Sequence, residues 1–273
     1  RDTTLKEEIS YHIIPVIQKS GGNILVRPPI TQILVNKDGA AYGVKVRKGQ
    51  EEVEVHAPVI ISNCGLFTTF QKLLPPQIQT KPGFFAMSKE DEPDNIPMMF
   101  ITFPSAKDPI AKMRHPEKSC MMILTMVKYE LFEEWKDTTS VRKWGDEWGD
   151  DYKMSFFDWA CTLFPKLREN VPGRCDPPLT NMHYLGAQRG AMYSTEHNLD
   201  LFHAEDSARN RCSTPVKKLL ISGQDVFSCG IAGALHGGLL CASMVLDDIV
   251  YIDLLFLKNK LKKQKARVMA RLA

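Results

Sequence analysis

Near the end of the 273-residue chain, the run Val216-Lys217-Lys218-Leu219-Leu220-Ile221-Ser222 gives way to Gly223-Gln224-Asp225. After Val226-Phe227-Ser228-Cys229 comes Gly230-Ile231-Ala232-Gly233-Ala234-Leu235-His236-Gly237-Gly238, which continues as an apolar segment to Leu246. The order is strand, turn with an acid, glycine-rich helix start. A helix start presents unpaired N–H groups and the positive end of the helix dipole, which together suit a phosphate. Small residues let a ligand approach the backbone closely. The Asp225 carboxylate can accept a hydrogen bond from a sugar-like hydroxyl. The same residues equally suit a helix that needs Gly and Ala to pack tightly on a sheet, and residue types alone leave both open. The spacing is neither Gly-x-Gly-x-x-Gly nor a Walker loop.

The elements that must position this segment read as α/β. Ile9, His12, Ile13, Val16 and Ile17 recur at helical spacing, and Gly21-Gly22 ends the run. Five short strands are expected next: Asn23 to Val26, Ile30 to Val35, Tyr42 to Val46, Glu51 to His56 and Val59 to Ser62. Asn36-Lys37-Asp38-Gly39 is a hairpin turn, and Lys48-Gly49-Gln50 is the next turn. Glu51 to His56 alternates as a half-exposed strand should, whereas Val59 to Ser62 is continuous and apolar, as in a buried parallel strand. Beyond Phe67 the pattern changes. A short helix closes at Leu73-Leu74-Pro75-Pro76, and a polar, Pro-broken stretch runs from Gln77 to Pro97. Strands are expected at Met98 to Phe103 and Cys120 to Thr125, and helices at Tyr129 to Trp135 and Tyr152 to Phe164. All four Trp, at 135, 144, 148 and 159, fall in this middle part, where Met and aromatics could line an apolar ligand or simply fill a core.

Composition sets the class. A chain that is 44% hydrophobic and 25% charged can bury a sizeable core. Seven Cys, with no pair spaced Cys-x-x-Cys, argue against both a disulfide scaffold and a structural zinc site, and no metal is expected. No signal peptide is visible at Arg1-Asp2-Thr3-Thr4. The most apolar window, Cys229 to Leu246, is barely long enough to span a bilayer and rich in small residues, so a transmembrane helix is not expected there. The net charge of +3 hides an asymmetry: Lys258 to Ala273 holds seven Lys or Arg and no acid, so without that tail the chain carries −4.

These pieces together resemble the phytoene-desaturase-type flavoproteins. The resemblance rests on Gly223-Gln224-Asp225 with Gly230 to Ala234, on Gly21-Gly22-Asn23-Ile24-Leu25 with Ile30 to Ile33, and on Tyr42-Gly43-Val44 with Val59 to Gly65. Three further runs, Phe103 to Pro109, Phe132-Glu133-Glu134-Trp135 and Pro178-Leu179-Thr180-Asn181, are similar to the retinol saturase branch. The resemblance covers nearly the whole chain apart from Gln77 to Asn95. It implies FAD as cofactor, with NAD or NADP as the alternative dinucleotide. It also implies all-trans-retinol or a related retinoid as substrate, reduced at its C13–C14 double bond by the flavin while the protein supplies position and electrostatics. A carotenoid-type desaturase or isomerase, or a non-catalytic relative that binds lipid or a partner, are the alternatives on the same scaffold.

By resemblance, Asp225 and Gly223 would lie beside the ribityl and phosphate part of FAD. Gly230, Ile231, Ala232, Gly233 and Ala234 would start the helix facing the pyrophosphate and flavin. Ile30 and Ile33 would lie by the adenine, and Asn63 and Gly65 at the strand end facing the cofactor. No catalytic acid or base is assigned; His183, Tyr184 and His236 could line a substrate channel or serve only core or surface roles. The expected fold is a Rossmann-like FAD-binding domain lacking its N-terminal βαβ unit, joined to an α+β substrate domain. Residues 1–66 and 215–248 would form the cofactor domain, 67–214 a shortened substrate domain, and 249–273 a basic amphipathic tail.

Two departures stand out. The family opens with Gly-x-Gly-x-x-Gly on its first βαβ unit, and no such sequence occurs here. The interval between Leu74 and Ile96 is also shorter than in the family. Along the tail, Val250, Leu254, Leu257 and Leu261 share one helical face, with Lys and Arg following. That pattern suits an anionic membrane surface or a plain solvated helix, and no aromatic interleaving favours nucleic acid. The resemblance implies a peripheral protein of the endoplasmic reticulum membrane.

Overall fold

The computed structural model describes residues 5–26, 28–79, 99–127, 129–135, 158, 160–169, 178–193 and 203–272. In chain order the main elements are α1 (Leu5–Lys19), β1 (Ile30–Val35), β2 (Ala41–Lys48), β3 (Glu51–His56) and β4 (Ile60–Ser62). Next come β5 (Met99–Thr102), α2 (Pro104–Lys107), α3 (Ala111–Arg114), β6 (Met122–Thr125) and α4 (Pro178–Leu185). The chain closes with α5 (Ala204–Arg209), β7 (Leu219–Ile221), α6 (Gly230–Leu246) and α7 (Val250–Leu272). It divides into two units, one of Arg1–Gly65, Thr69–Lys81 and Asp200–Ala273, the other of Leu66–Thr68 and Pro82–Leu199.

In the first unit, β1, β2 and β3 form an antiparallel sheet in that order. The β1–β2 turn closes as the Asn36 side chain predicts: its Oδ1 accepts from the N–H of Asp38 at 3.0 Å and of Ala40 at 2.9 Å. β3 differs from its alternating pattern. It is an edge strand exposed along its whole length, Val53 and Val55 included. Asn23 to Val26 differs too, because no strand forms there and Leu25 and Val26 are exposed. Pro28 and Pro29, which follow, have no N–H to give to a ladder.

β4 and β7 pair in parallel, Ile60 opposite Leu219 and Ser62 opposite Ile221. β7 is shorter than the run Val216 to Ser222 predicts, and Lys218 explains why. Lys218 takes a left-handed φ of 63°. Before it, Lys217 bonds to the hairpin end: Ala41 N–H donates to Lys217 O at 2.8 Å and Lys217 N–H to Gly39 O at 3.1 Å. After it, the chain turns to β4. The single run Val216 to Ser222 thus stitches the antiparallel sheet to the parallel pair. The core fills the junction with Ile33, Ala41, Ile60, Leu73, Leu74, Val216 and Leu219. Leu73 ends a π-helical turn, Thr68–Leu73, where a short helix is expected.

The second unit holds the antiparallel pair β5–β6 and a small core of Tyr129, Phe132 and Leu179. Tyr129–Trp135 winds as a 3₁₀ helix. Of the expected helix Tyr152 to Phe164, the described residues place Ala160 to Leu163 in a helix. Residues 152–157, together with Trp144, Trp148 and Trp159, lie outside the described residues. So does most of the expected loop Gln77 to Pro97.

Candidate functional site

Parallel pairing puts the carboxyl ends of β4 and β7 side by side, so the segments that follow them must meet. Ser222 N–H still donates to Ser62 O at 2.9 Å, the last rung between the two. One residue further, Asn63 and Gly223 touch so closely that a Cβ at Gly223 would lie 2.0 Å from Asn63 Oδ1. Gly223 also has φ +95°, which L side chains rarely adopt. Glycine is needed there for both reasons.

The turn after β4 is held by hydroxyls. Ser62 Oγ and Thr69 Oγ1 lie 2.7 Å apart, both buried, and Thr69 Oγ1 donates to Gly65 O at 2.8 Å. Thr69 N–H reaches the same carbonyl at 3.0 Å. The turn after β7 closes with Val226 N–H on Gly223 O at 3.2 Å, and Asp225 within it is buried.

α6 then lies directly on this turn. A Cβ at Gly237 would come within 2.0 Å of Gly223 O, and one at Gly233 within 1.8 Å of Ser228 O. Gly233, Gly237 and Cys241 repeat every fourth residue, which puts them on one buried face of the helix. Gly230 begins the helix at φ +76°, and a Cβ there would meet nothing within 4 Å. Cys229, at the N-cap, makes no side-chain cap bond. The helix start is thus open, glycine-lined and without a cap from its own side chain, while the next turn is pressed onto backbone. His236 stacks on Phe227 with ring centroids 5.1 Å apart, and its Nδ1 lies 2.8 Å from Ala232 O.

Beneath the turn lie two thiols that spacing in the sequence did not link. Cys212 and Cys241 are both buried. Cys212 O accepts from Ile221 N–H at 2.8 Å, which seats it beside β7. The Cys212 thiol donates to Cys241, and Ser222 bonds Cys241 in turn. Burial, reinforced by Cys241, pushes the Cys212 thiol up to about 11. Burial raises Cys241 as well, against the lowering effect of its hydrogen bonds from Cys212 and Ser222. Both thiols are therefore protonated and poorly nucleophilic at neutral pH.

Asn63, Gly65, Gly223 and Asp225 gather at the paired strand ends, and Gly230 to Ala234 open the helix that follows. Ile30 and Ile33 are not part of this group and stand on β1 in the antiparallel sheet. Ile30 is 43% exposed and Ile33 is a core residue at 1%. Ile231 and Ala232 are exposed, whereas Gly233 is buried. His183 and Tyr184 are exposed neighbours on α4 with rings 4.9 Å apart, in the other unit. Sequence reasoning missed Ser62, Thr69, Ser222, Cys212 and Cys241. The four-residue interval from Gly233 to Gly237 and on to Cys241 was the available signal for the last. Among the described residues no group of three or more His, Cys, Asp or Glu could hold a metal ion.

Comparison with known proteins relates the chain to one set of relatives. It is 42% identical to a Danio rerio protein named "Inactive all-trans-retinol 13,14-reductase" over 95% of this chain and 51% of that protein. It is 35% identical to the all-trans-retinol 13,14-reductase of Rattus norvegicus and 32% to that of Homo sapiens, with the same coverage of both chains. The chain thus spans about half the length of the relatives it matches. The Danio match runs over 313 residues and this chain has 273, so its relative carries residues opposite gaps in this chain. No family model matches the chain, and no solved structure matches it.

Proposed function

Because this chain is a relative of the all-trans-retinol 13,14-reductases over about half of their length, we propose that it carries part of the cofactor domain and a shortened substrate domain of a flavin-dependent oxidoreductase acting on the C13–C14 double bond of a retinoid. The observation that carries this reading is the meeting of the β4 and β7 ends at Asn63 and Gly223, beside buried Asp225 and the open glycine start of α6. A ligand at the carboxyl ends of parallel strands, facing a helix N-terminus, is the arrangement that Rossmann-like cofactor domains use. Residues 1–66 and 215–248 would make that domain, residues 67–214 the substrate part, and 249–273 the tail.

The residues present fit a flavin dinucleotide on two counts. The helix start has glycine with open space around it and no cap from the Cys229 side chain, and buried Asp225 stands in the turn before it. Gly223 is filled by Asn63 and lies under α6, so its part is to let the strand ends and the helix meet. FAD, once bound, supplies the hydride chemistry. This chain's own part is placement. The N–H groups of Gly230, Ile231 and Ala232, which have no partner within the helix, would face the pyrophosphate, with Gly233 and Ala234 continuing the helix behind them, and the Asp225 carboxylate would accept from a ribityl hydroxyl. Asn63 and Gly65 would border the cofactor at the end of β4, and the exposed Ile30 would mark the adenine side of β1, with Ile33 behind it in the core. NAD or NADP would use the same helix start. The protein would work at the endoplasmic reticulum membrane, where its lipid substrate resides.

A second reading is favoured by one finding: the 42% identical relative carries the word "Inactive" in its name. On that reading the chain holds a lipid or partner and turns nothing over. Titration with FAD, followed by visible absorbance and flavin fluorescence, tests the cofactor. Flavin bands that survive gel filtration are expected, and their absence overturns the flavin reading. Anaerobic incubation of the flavin-loaded protein with all-trans-retinol and a reductant then tests the reaction. Dihydroretinol is the expected product; bound flavin without product leaves the non-catalytic reading standing.

A further inference from the structure

α7 is a 23-residue helix whose described side chains beyond Val250 are all exposed. At 1.5 Å per residue it is about 35 Å long. With 3.6 residues per turn, Val250, Leu254, Leu257, Leu261 and Val268 fall in one stripe along it. Leu257 and Leu261 are 50% and 54% exposed, and Phe256, toward the apolar first half, is 69% exposed. Lys258, Lys260, Lys262, Lys263, Lys265 and Arg267 occupy the remaining faces of the second half, with no acid among them. The helix is held at its base. Asp247 ends α6 in a left-handed conformation, Val250 N–H reaches Ser243 Oγ at 3.3 Å, and Ile249 N–H reaches Asp248 Oδ1 at 2.7 Å. No helix among the described residues is long and apolar enough to cross a membrane.

We propose that α7 lies flat in the surface of a bilayer rich in anionic phospholipid, with the Leu254–Leu257–Leu261 stripe among the acyl chains and the flanking lysines at the headgroups. Apolar stripe and cations are both needed: the stripe supplies burial, and the cations supply attraction to anionic lipid. Lysine stems on either side of the stripe cover its edges while their ammonium ends stay in water. The hydrogen bonds at Ser243 and Asp248 join the C-terminal end of α6 to α7, so docking α7 brings that end of α6 near the lipid, with the glycine start 17 residues, about 25 Å, further along the helix. This deepens the membrane part of the function proposed above.

Vesicle flotation with the full chain tests it, using phosphatidylcholine alone and phosphatidylcholine with about a third phosphatidylserine. Binding to the anionic vesicles is expected to be about tenfold stronger or more, and to weaken as salt rises from about 0.1 to 1 M. Leu257→Glu with Leu261→Glu should abolish flotation, and Lys260→Glu with Lys263→Glu should abolish the preference for anionic lipid. Thermal unfolding of each variant shows that the fold is kept. Equal binding to both vesicle types, no binding, self-association through α7 without vesicle binding, or binding to a duplex oligonucleotide but not to vesicles would each overturn the proposal. Because neither flavin nor retinoid is present, failure here leaves the reductase reading untouched. Conversely, flotation without any flavin binding sinks that reading and keeps this one.

Discussion

Two helices in the same unit, α6 and α7, follow each other through one elbow and are specified in opposite ways. α6 is fixed by what is missing from it. At Gly233 and Gly237 the helix comes so near Ser228 O and Gly223 O that no side chain fits between. α7 is specified by what it carries, a stripe of Leu and Val amid lysines, and its described side chains beyond Val250 stay exposed. Close backbone approach makes the position of α6 intolerant of single atoms. An exposed amphipathic helix has no such constraint, so its residues are free to serve a surface outside the chain. Substitutions should therefore separate sharply between the two.

The largest effect is expected at Gly237. In an ordinary helix Gly→Ala gains about 1 kcal/mol from propensity. Here the new Cβ would stand 2.0 Å from a backbone carbonyl that cannot rotate away. Overpacking of this kind costs about 3 kcal/mol or more, so the clash wins. Gly237→Ala should lower the Tm by many degrees by lifting α6 off the turn and, on the function proposed above, weaken flavin binding as well. An unchanged Tm would show that the turn yields, and the contrast with α7 would fail.

Gly223→Ala comes next. It meets a side-chain oxygen, Asn63 Oδ1, and a positive φ that costs about 1–3 kcal/mol by itself. The two contributions can be separated. Asn63→Ala in the same chain removes the clash and leaves the φ strain, so the double variant should recover part of the lost stability. Full recovery would show that φ at 223 relaxes freely.

A third test uses pH. Cys212 holds its proton more tightly in the folded chain, about 11 against an ordinary 9.0. The folded state therefore binds more protons than the unfolded state between those values. The stability this contributes is complete below pH 9 and is lost as pH rises toward about 11. Cys212→Ala should flatten that part of the Tm-against-pH curve, even if its Tm at neutral pH is lower. Native-state alkylation gives a second view: Cys64 and Cys120 are exposed and should react, while Cys212 and Cys241 wait for unfolding.

What the sequence made legible follows the same division. Turn chemistry was readable where one side chain decides it, as at Asn36, and α7 was readable because periodicity and charge are local properties. The strand ends at Ser62 and Ser222 were readable as strand followed by turn. Their pairing, and the contact of Asn63 with Gly223, depends on two segments about 160 residues apart, which no local pattern encodes. β3 alternates in sequence, yet among the described residues nothing buries its Val53 and Val55 face, because alternation describes a strand and not its neighbours. The split of Val216 to Ser222 between two sheets turns on the backbone of a single lysine at 218. The Cys212–Cys241 pair was hidden for a similar reason: helical spacing places Cys241 on the Gly237 face, but only β7 brings Cys212 to it.

The smallest effect on stability should come from α7, and it bears most directly on the contrast. Leu257 is half exposed, so Leu257→Lys removes little burial and adds a residue that favours helix about as well as Leu. Its effect on unfolding should stay within about 0.5 kcal/mol. Binding to anionic vesicles should nevertheless fall, because the stripe at 254, 257 and 261 is interrupted while the charge increases by one. A loss of several degrees in Tm would mean that Leu257 is buried against protein in solution. α7 would then be held by packing, as α6 is, and the apolar stripe would belong to an interior.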